Sequence, residues 1–146
     1  MTSCDTNILF SACDASAEGH AAARVFLKEH GRDADFCICE QVLMELYCLL
    51  RNPAVCTRPA SPAEAVEVIR RMRSNVFWSV VDVVPGHGIM ERVWRAASGG
   101  SFARRKIFDV RLAQTLLHHG VTAFATRNTK DFCDAGFVRV WNPLDD

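Results

Sequence analysis

FCICEQVLMELYCLLRN, residues 36–52, joins a short apolar run to a longer one with no turn between them. FCIC is too short for a helix and reads as a buried strand. EQVLMELYCLLRN is apolar nearly all round at helical spacing, which predicts a helix in a central position. A buried strand that passes directly into a helix is half of a βαβ unit, and the same alternation recurs on both sides. Upstream, residues 2–5 read as an opening strand, NILFSAC (7–13) as a short helix, and EGHAAARVFLKEHG (18–31) as a helix closed by His30 and Gly31. Downstream, SPAEAVEVIRRMRSN (61–75) opens with Ser61 as N-cap, Pro62 at the first helical position and Glu64 three residues after the cap, a capping box. WSVVDVV (78–84) is strand-like, GIMERVWRAAS (88–98) helical, GGSFARRK (99–106) a loop and 107–119 a helix. TAFAT (122–126) and VRVW (138–141) are strands around a helical turn, TKDFCDAG (129–136). Short apolar strands alternating with helices predict right-handed βαβ units and a parallel sheet covered on both faces.

The 146 residues suit one compact domain over 1–146, with no Pro/Gly/Ser-rich linker to divide them. Apolar residues make up 49% and charged residues 23%, with Lys+Arg and Asp+Glu equal at 17 each, which excludes a disordered or broadly cationic chain. Any affinity for nucleic acid must therefore come from a local basic patch. The seven cysteines are an odd number without a CxxC pair and read as reduced core residues. MTSCDTNILF has no basic leader, and no apolar run approaches the roughly 20 residues that span a bilayer, so a cytoplasmic chain without membrane attachment is expected.

In parallel sheets, sites form at the carboxyl ends of the strands. Asp5 ends the first strand, where an N-cap is its ordinary role. Glu45 shares a helix face with Val42, Cys48 and Leu49 and has no cation within one turn, so only a distant Arg would make it ordinary. In KIFDVRLAQTLLHHG (106–120), Asp109 shares a face with Ala113 and Leu116, although Arg105 and Lys106 precede it closely enough for a surface pair. Asn128 and Asp131 follow a strand in ATRNTKDF (125–132). Three clustered carboxylates raise one another's pKa unless a divalent cation holds them, and oxygen-only ligands favour Mg²⁺ or Mn²⁺ over zinc. Such an ion activates water and neutralises phosphoryl charge, which predicts phosphodiester hydrolysis.

DTNILF, ICEQVLMELYCLLRNP, KIFDVRLAQTLLHHGV, FATRNTKDF and the closing WNPL together resemble a PIN domain of the VapC toxin type, from residue 5 to about 144. The resemblance implies a PIN-like three-layer α/β sandwich, its central, mostly parallel sheet flanked by helices, with a strand order near 3-2-1-4-5. It implies an endoribonuclease that depends on Mg²⁺, with Mn²⁺ able to substitute. Such a chain hydrolyses RNA as the toxin of a type II toxin–antitoxin pair, forms a homodimer and is neutralised by a VapB-type antitoxin. Asp5, Glu45 and Asp109 match the family's metal-binding acids, and Asp131 matches the aspartate of its terminal DF pair. Asn128 stands where many relatives carry a fourth acid, so a second ion would be weakly held. Thr6 and Thr126 are expected to orient the carboxylates.

Arg104, Arg105 and Lys106, behind Gly99-Gly100-Ser101, read either as a cluster that tracks RNA phosphates or as a solvated loop. Arg70, Arg71 and Arg73 read as a solvated helix face and Arg51 as a complement to a helix dipole. The histidines are not expected to form a ligand cluster, Trp78, Trp94 and Trp141 are expected in the core, and residues 61–94 are expected to supply a dimer patch. Asn7 stands where a haloacid dehalogenase-type phosphatase needs its second acid, and no acidic pair of the receiver-domain kind lies near the first strand. A catalytically weak PIN-fold protein, serving as an RNA- or protein-binding module, is the alternative. Its mark would be loss of one of the three acids, and all three are present.

Overall fold

The computed structural model describes residues 1–145. The strands are β1 (Thr2–Cys4), β2 (Phe36–Cys39), β3 (Ser79–Val81), β4 (Ala123–Ala125) and β5 (Arg139–Trp141). The helices are α1 (Thr6–Cys13), α2 (His20–Glu29), α3 (Glu40–Leu50), α4 (Pro62–Arg73), α5 (Ile89–Ala97), α6 (Lys106–His118) and α7 (Thr129–Phe132). The five strands form one sheet in the order β3-β2-β1-β4-β5, with every pairing parallel. This is the order implied by the family resemblance.

Parallel strands bury both faces, and β2 does so at all four residues. Ile8 and Leu9 of α1, Val42, Leu43 and Leu46 of α3, and Leu112 and Leu116 of α6 close over the sheet around Phe36, Ile38 and Phe124. Two terminus devices fix where helices begin and end. At α4, Ser61 Oγ accepts from the Glu64 N–H at 3.2 Å, and the Glu64 carboxylate accepts from the Ser61 N–H at 3.4 Å, the capping box expected from the sequence. At the end of α6, Gly120 takes φ 85°, the Gly120 N–H bonds to the Leu117 carbonyl and the Val121 N–H to the Leu116 carbonyl. This pair of reversed bonds ends the helix and turns the chain into β4, and a side chain at that φ would be strained.

Several expectations change. The helix α3 is not buried all round, since Met44 is 65% exposed and Cys48 is exposed on the side away from Leu43 and Leu46. All seven cysteines are free, but Cys13, Cys48 and Cys133 are exposed, leaving Cys4, Cys37, Cys39 and Cys56 inside. Trp94 is 59% exposed, whereas Trp78 and Trp141 pack against the core partly buried. Trp78 keeps its ring there by donating from Nε1 to the His30 carbonyl at 2.7 Å. No helix is long and apolar enough to cross a membrane among the described residues.

Candidate active site

The register of β1 on β4 pairs Cys4 with Ala125, so the next residue of each strand, Asp5 and Thr126, emerges side by side at the carboxyl edge. The Asp5 N–H continues the ladder to the Ala125 carbonyl at 2.9 Å. Asp5 then caps α1, its Oδ1 accepting the Thr6 N–H at 2.7 Å. Its Oδ2 accepts from Thr126 Oγ1 at 2.7 Å and Asn7 Nδ2 at 2.9 Å. All three donors are neutral. They favour the ionised carboxylate, but burial opposes it more strongly, and the nearby Glu45 and Asp109 add repulsion, so the Asp5 pKa is pushed up to about 6.

Glu45 faces the same place from α3. Thr6 Oγ1 donates to its Oε2 at 2.9 Å and Gln41 Nε2 to its Oε1 at 3.1 Å. Asp109, in the first turn of α6, has its pKa raised by burial first, then by Asp131 and Glu45, with Lys106 opposing. Among the described residues, none of Asp5, Glu45, Asp109 and Asp131 is ion-paired, so an Arg partner does not account for Glu45. The result is a concentration of negative charge with oxygen ligands only. No three His, Cys, Asp or Glu side chains among the described residues converge closely enough to hold an ion as they stand. The donor chemistry nevertheless fits a hard divalent cation, because Asp5 is buried beside Glu45 and Asp109, both raise its pKa, and none of the three acids is ion-paired among the described residues.

The PIN domain model matches residues 3–138. Across 144 residues the chain is 50% identical to Ribonuclease VapC24 of Mycobacterium tuberculosis, covering 99% of this chain and 97% of the relative, in each of two strains. The chain belongs to the PIN-domain ribonucleases of the VapC type. Solved structures share its fold. A VapC20 toxin of M. tuberculosis, described as cleaving the sarcin–ricin loop, superposes with a TM-score of 0.70 at 18% identity, over 94% of this chain and 96% of that one. FitAB bound to a DNA fragment gives 0.62 at 19% identity, over 100% and 97% of the two chains. VapBC2 from Rickettsia felis bound to promoter DNA gives 0.65 at 12% identity, over 96% and 97%.

In this VapC-type ribonuclease the remaining expected site residues are placed unevenly. Asp131 is exposed and lines a cavity of about 290 Å³ with Asp109, Lys106, Lys130 and Phe102. Asn128 is exposed, and only its backbone N–H reaches the network, donating to Thr126 Oγ1 at 3.0 Å. Its side chain makes no hydrogen bond to the carboxylates among the described residues. Arg104, Arg105 and Lys106 are all exposed, at the loop's entry into α6. Arg70, Arg71 and Arg73 are all exposed, and on that face Arg71 pairs with Glu67 and Arg73 with Glu40. Three histidines come together at the end of α6. His118 lies with its ring centroid 5.0 Å from His87 and 5.2 Å from His119, because the loop before α5 folds onto the end of α6.

Three residues of the network were not singled out from the sequence as site residues. Asn7, weighed only against a phosphatase, bridges Asp5 and the 125–132 segment, its Oδ1 accepting the Arg127 N–H at 3.2 Å. Gln41 stands one helical turn before Glu45, a spacing visible in the sequence. Arg111 reaches Gln41 across 70 residues, which no local pattern reveals.

Proposed function

We propose that this chain hydrolyses RNA phosphodiester bonds with Mg²⁺ held by Asp5, Glu45 and Asp109, and that Mn²⁺ substitutes for it. The ribonuclease activity goes with the VapC family, whose PIN-domain enzymes are generally metal-dependent. The observation that carries the metal assignment is Asp5, buried at a strand end, aimed by three neutral donors and raised to a pKa of about 6 beside Glu45 and Asp109. When bound, the ion lowers the pKa of water and neutralises charge on a phosphoryl oxygen.

The chain's own groups do the rest. Thr126, Asn7 and the Thr6 N–H hold the Asp5 carboxylate in one orientation, and Thr6 Oγ1 and Gln41 hold that of Glu45. Asp131, exposed beside Asp109, would take a proton from the attacking water. Arg104, Arg105 and Lys106 hold RNA phosphates at the rim, where their exposure lets them meet a flexible strand. Asn128, through its side-chain oxygen, would serve a second, weaker ion.

The biological role is that of a toxin working as one domain in the cytoplasm, restrained by a VapB-type antitoxin. The named VapBC2 and FitAB assemblies among its structural neighbours support that partner class. A homodimer is proposed through residues 61–94, a stretch that includes the exposed Trp94. A purely binding PIN-fold module would be expected to have lost one of the three acids, and this chain keeps all of them.

Expression of the chain alone in bacteria tests the role. Growth arrest with fragmentation of RNA, relieved by the small gene beside its own and absent for Asp5→Asn, is expected. Tight partner binding with intact RNA would favour the module.

A further inference from the structure

Gln41 is 8% exposed, and its side chain makes three hydrogen bonds to other groups of the chain. Its Nε2 donates to Glu45 Oε1 at 3.1 Å and to the Phe108 carbonyl at 3.0 Å, while its Oε1 accepts from Arg111 Nη1 at 2.8 Å. The two ends of an amide are usually told apart only by their neighbours. Here the neighbours leave one choice, because a guanidinium only donates and a carbonyl only accepts. With its oxygen committed to Arg111 and one N–H to Phe108, Gln41 presents a donor to Glu45. Arg111 is itself held from behind by Asp82 Oδ1 at 3.1 Å, just beyond β3.

The torsion that turns a Glu carboxylate is broad and two-fold, so an untethered Glu45 would sample many orientations. Gln41 and Thr6 each hold one of its oxygens. The Phe108 carbonyl belongs to the peptide that leads into Asp109, so the same amide links the α3 carboxylate to the turn of α6 that carries the α6 carboxylate.

We infer that Gln41, oriented by Arg111, is a positioning residue that sets the Glu45 carboxylate in register with Asp109 for the metal ion. The inference rests on the metal reading above. It assigns Arg111 no direct contact with ion or RNA: Arg111 acts through Gln41.

The test is Mn²⁺ binding to the full chain, followed by the loss of free-ion EPR signal. The proteins are the wild type, Gln41→Leu, Arg111→Met, the double variant and Asp5→Asn, each with its metal-free melting temperature. Gln41→Leu and Arg111→Met are each expected to weaken Mn²⁺ binding by about tenfold or more. The double variant is expected to bind no worse than Gln41→Leu alone, because both changes remove the same tether. Arg111→Lys is expected to restore part of the affinity by donating again to Gln41 Oε1.

Wild-type Mn²⁺ affinity retained within about twofold in Gln41→Leu, whatever its melting temperature, overturns the inference. A double variant losing the product of the two single effects overturns the part assigned to Arg111. Should Gln41→Leu not fold, Arg111→Met alone decides, and unchanged affinity there overturns the inference. A wild type that takes up no Mn²⁺ overturns the metal reading and this inference together, whereas binding lost only in Asp5→Asn overturns this inference alone.

Discussion

Thr126 Oγ1 donates to Asp5 Oδ2 at 2.7 Å, a bond between the ends of two adjacent parallel strands whose residues lie 121 apart in the chain. Both residues are buried. Thr126→Val keeps the shape and removes the donor, so the Asp5 pKa should rise above about 6 and divalent-ion affinity should fall roughly tenfold. Thr126→Ser should restore both, measured by ion titration at neutral pH. Equal losses in Val and Ser variants would assign the effect to packing.

The pH dependence of stability follows from Asp5 with a definite sign. In the metal-free chain its folded pKa is about 6 against an ordinary 3.8. Between those values the folded state holds a proton that the unfolded state has lost, so stability falls as pH rises through that window. The gap is worth on the order of 3 kcal/mol. Asp109, also raised, acts in the same direction. Because the ion competes with the proton, Mg²⁺ should raise the melting temperature more at about pH 7.5 than at about pH 5. An equal rise at both would argue against carboxylate ligands.

Replacing Arg104, Arg105 and Lys106 together by Gln should weaken binding of unrelated RNA sequences alike. The slope of log affinity against log salt should become shallower by about two, taking roughly 0.7 per single-strand phosphate contact. An unchanged slope would leave this loop merely solvated. Lys106→Gln alone should also raise the Asp109 pKa further, because Lys106 is the cation that opposes the rise.

Ser61→Ala removes the cap of α4, which supplies none of the carboxylates, and should cost about 1 kcal/mol. That corresponds to roughly 2–4 °C in melting temperature for a chain of this size. RNA cleavage at low temperature should be unaffected, and a loss there would tie α4 to function.

The elements with strong local signals were legible in the sequence. Ser61, Pro62 and Glu64 mark the start of α4, and four-residue FCIC running into EQVLMELYCLL marks β2 and α3, because caps and periodicity act within one turn of chain. Thr6 and Thr126 were readable as supporting hydroxyls because each adjoins a strand end. What escaped depends on contacts between remote segments. Arg111 on Gln41 requires α6 to cross α3, and the His87, His118 and His119 cluster requires the α5 entry to fold onto the end of α6. Met44 and Trp94 are apolar at helical spacing, so composition placed them inside, and only packing reveals that their sides of α3 and α5 face outward. Asn128 follows β4, which places it near the site, but its side chain is exposed and its backbone N–H makes the link to Thr126.

RNA cleavage is proposed to depend on an ion held by Asp5, Glu45 and Asp109. This dependence is tested most directly by following cleavage of a labelled RNA by the purified chain with Mg²⁺, with EDTA, and in Asp5→Asn and Asp109→Asn variants shown to fold by circular dichroism. Cleavage by the wild type with Mg²⁺ alone is expected, with its restoration when Mn²⁺ is added after EDTA and a loss of at least about a hundredfold in each variant, the scale of removing a group that stabilises the transition state. Cleavage that continues undiminished in EDTA, or in a folded Asp5→Asn chain, would contradict this dependence.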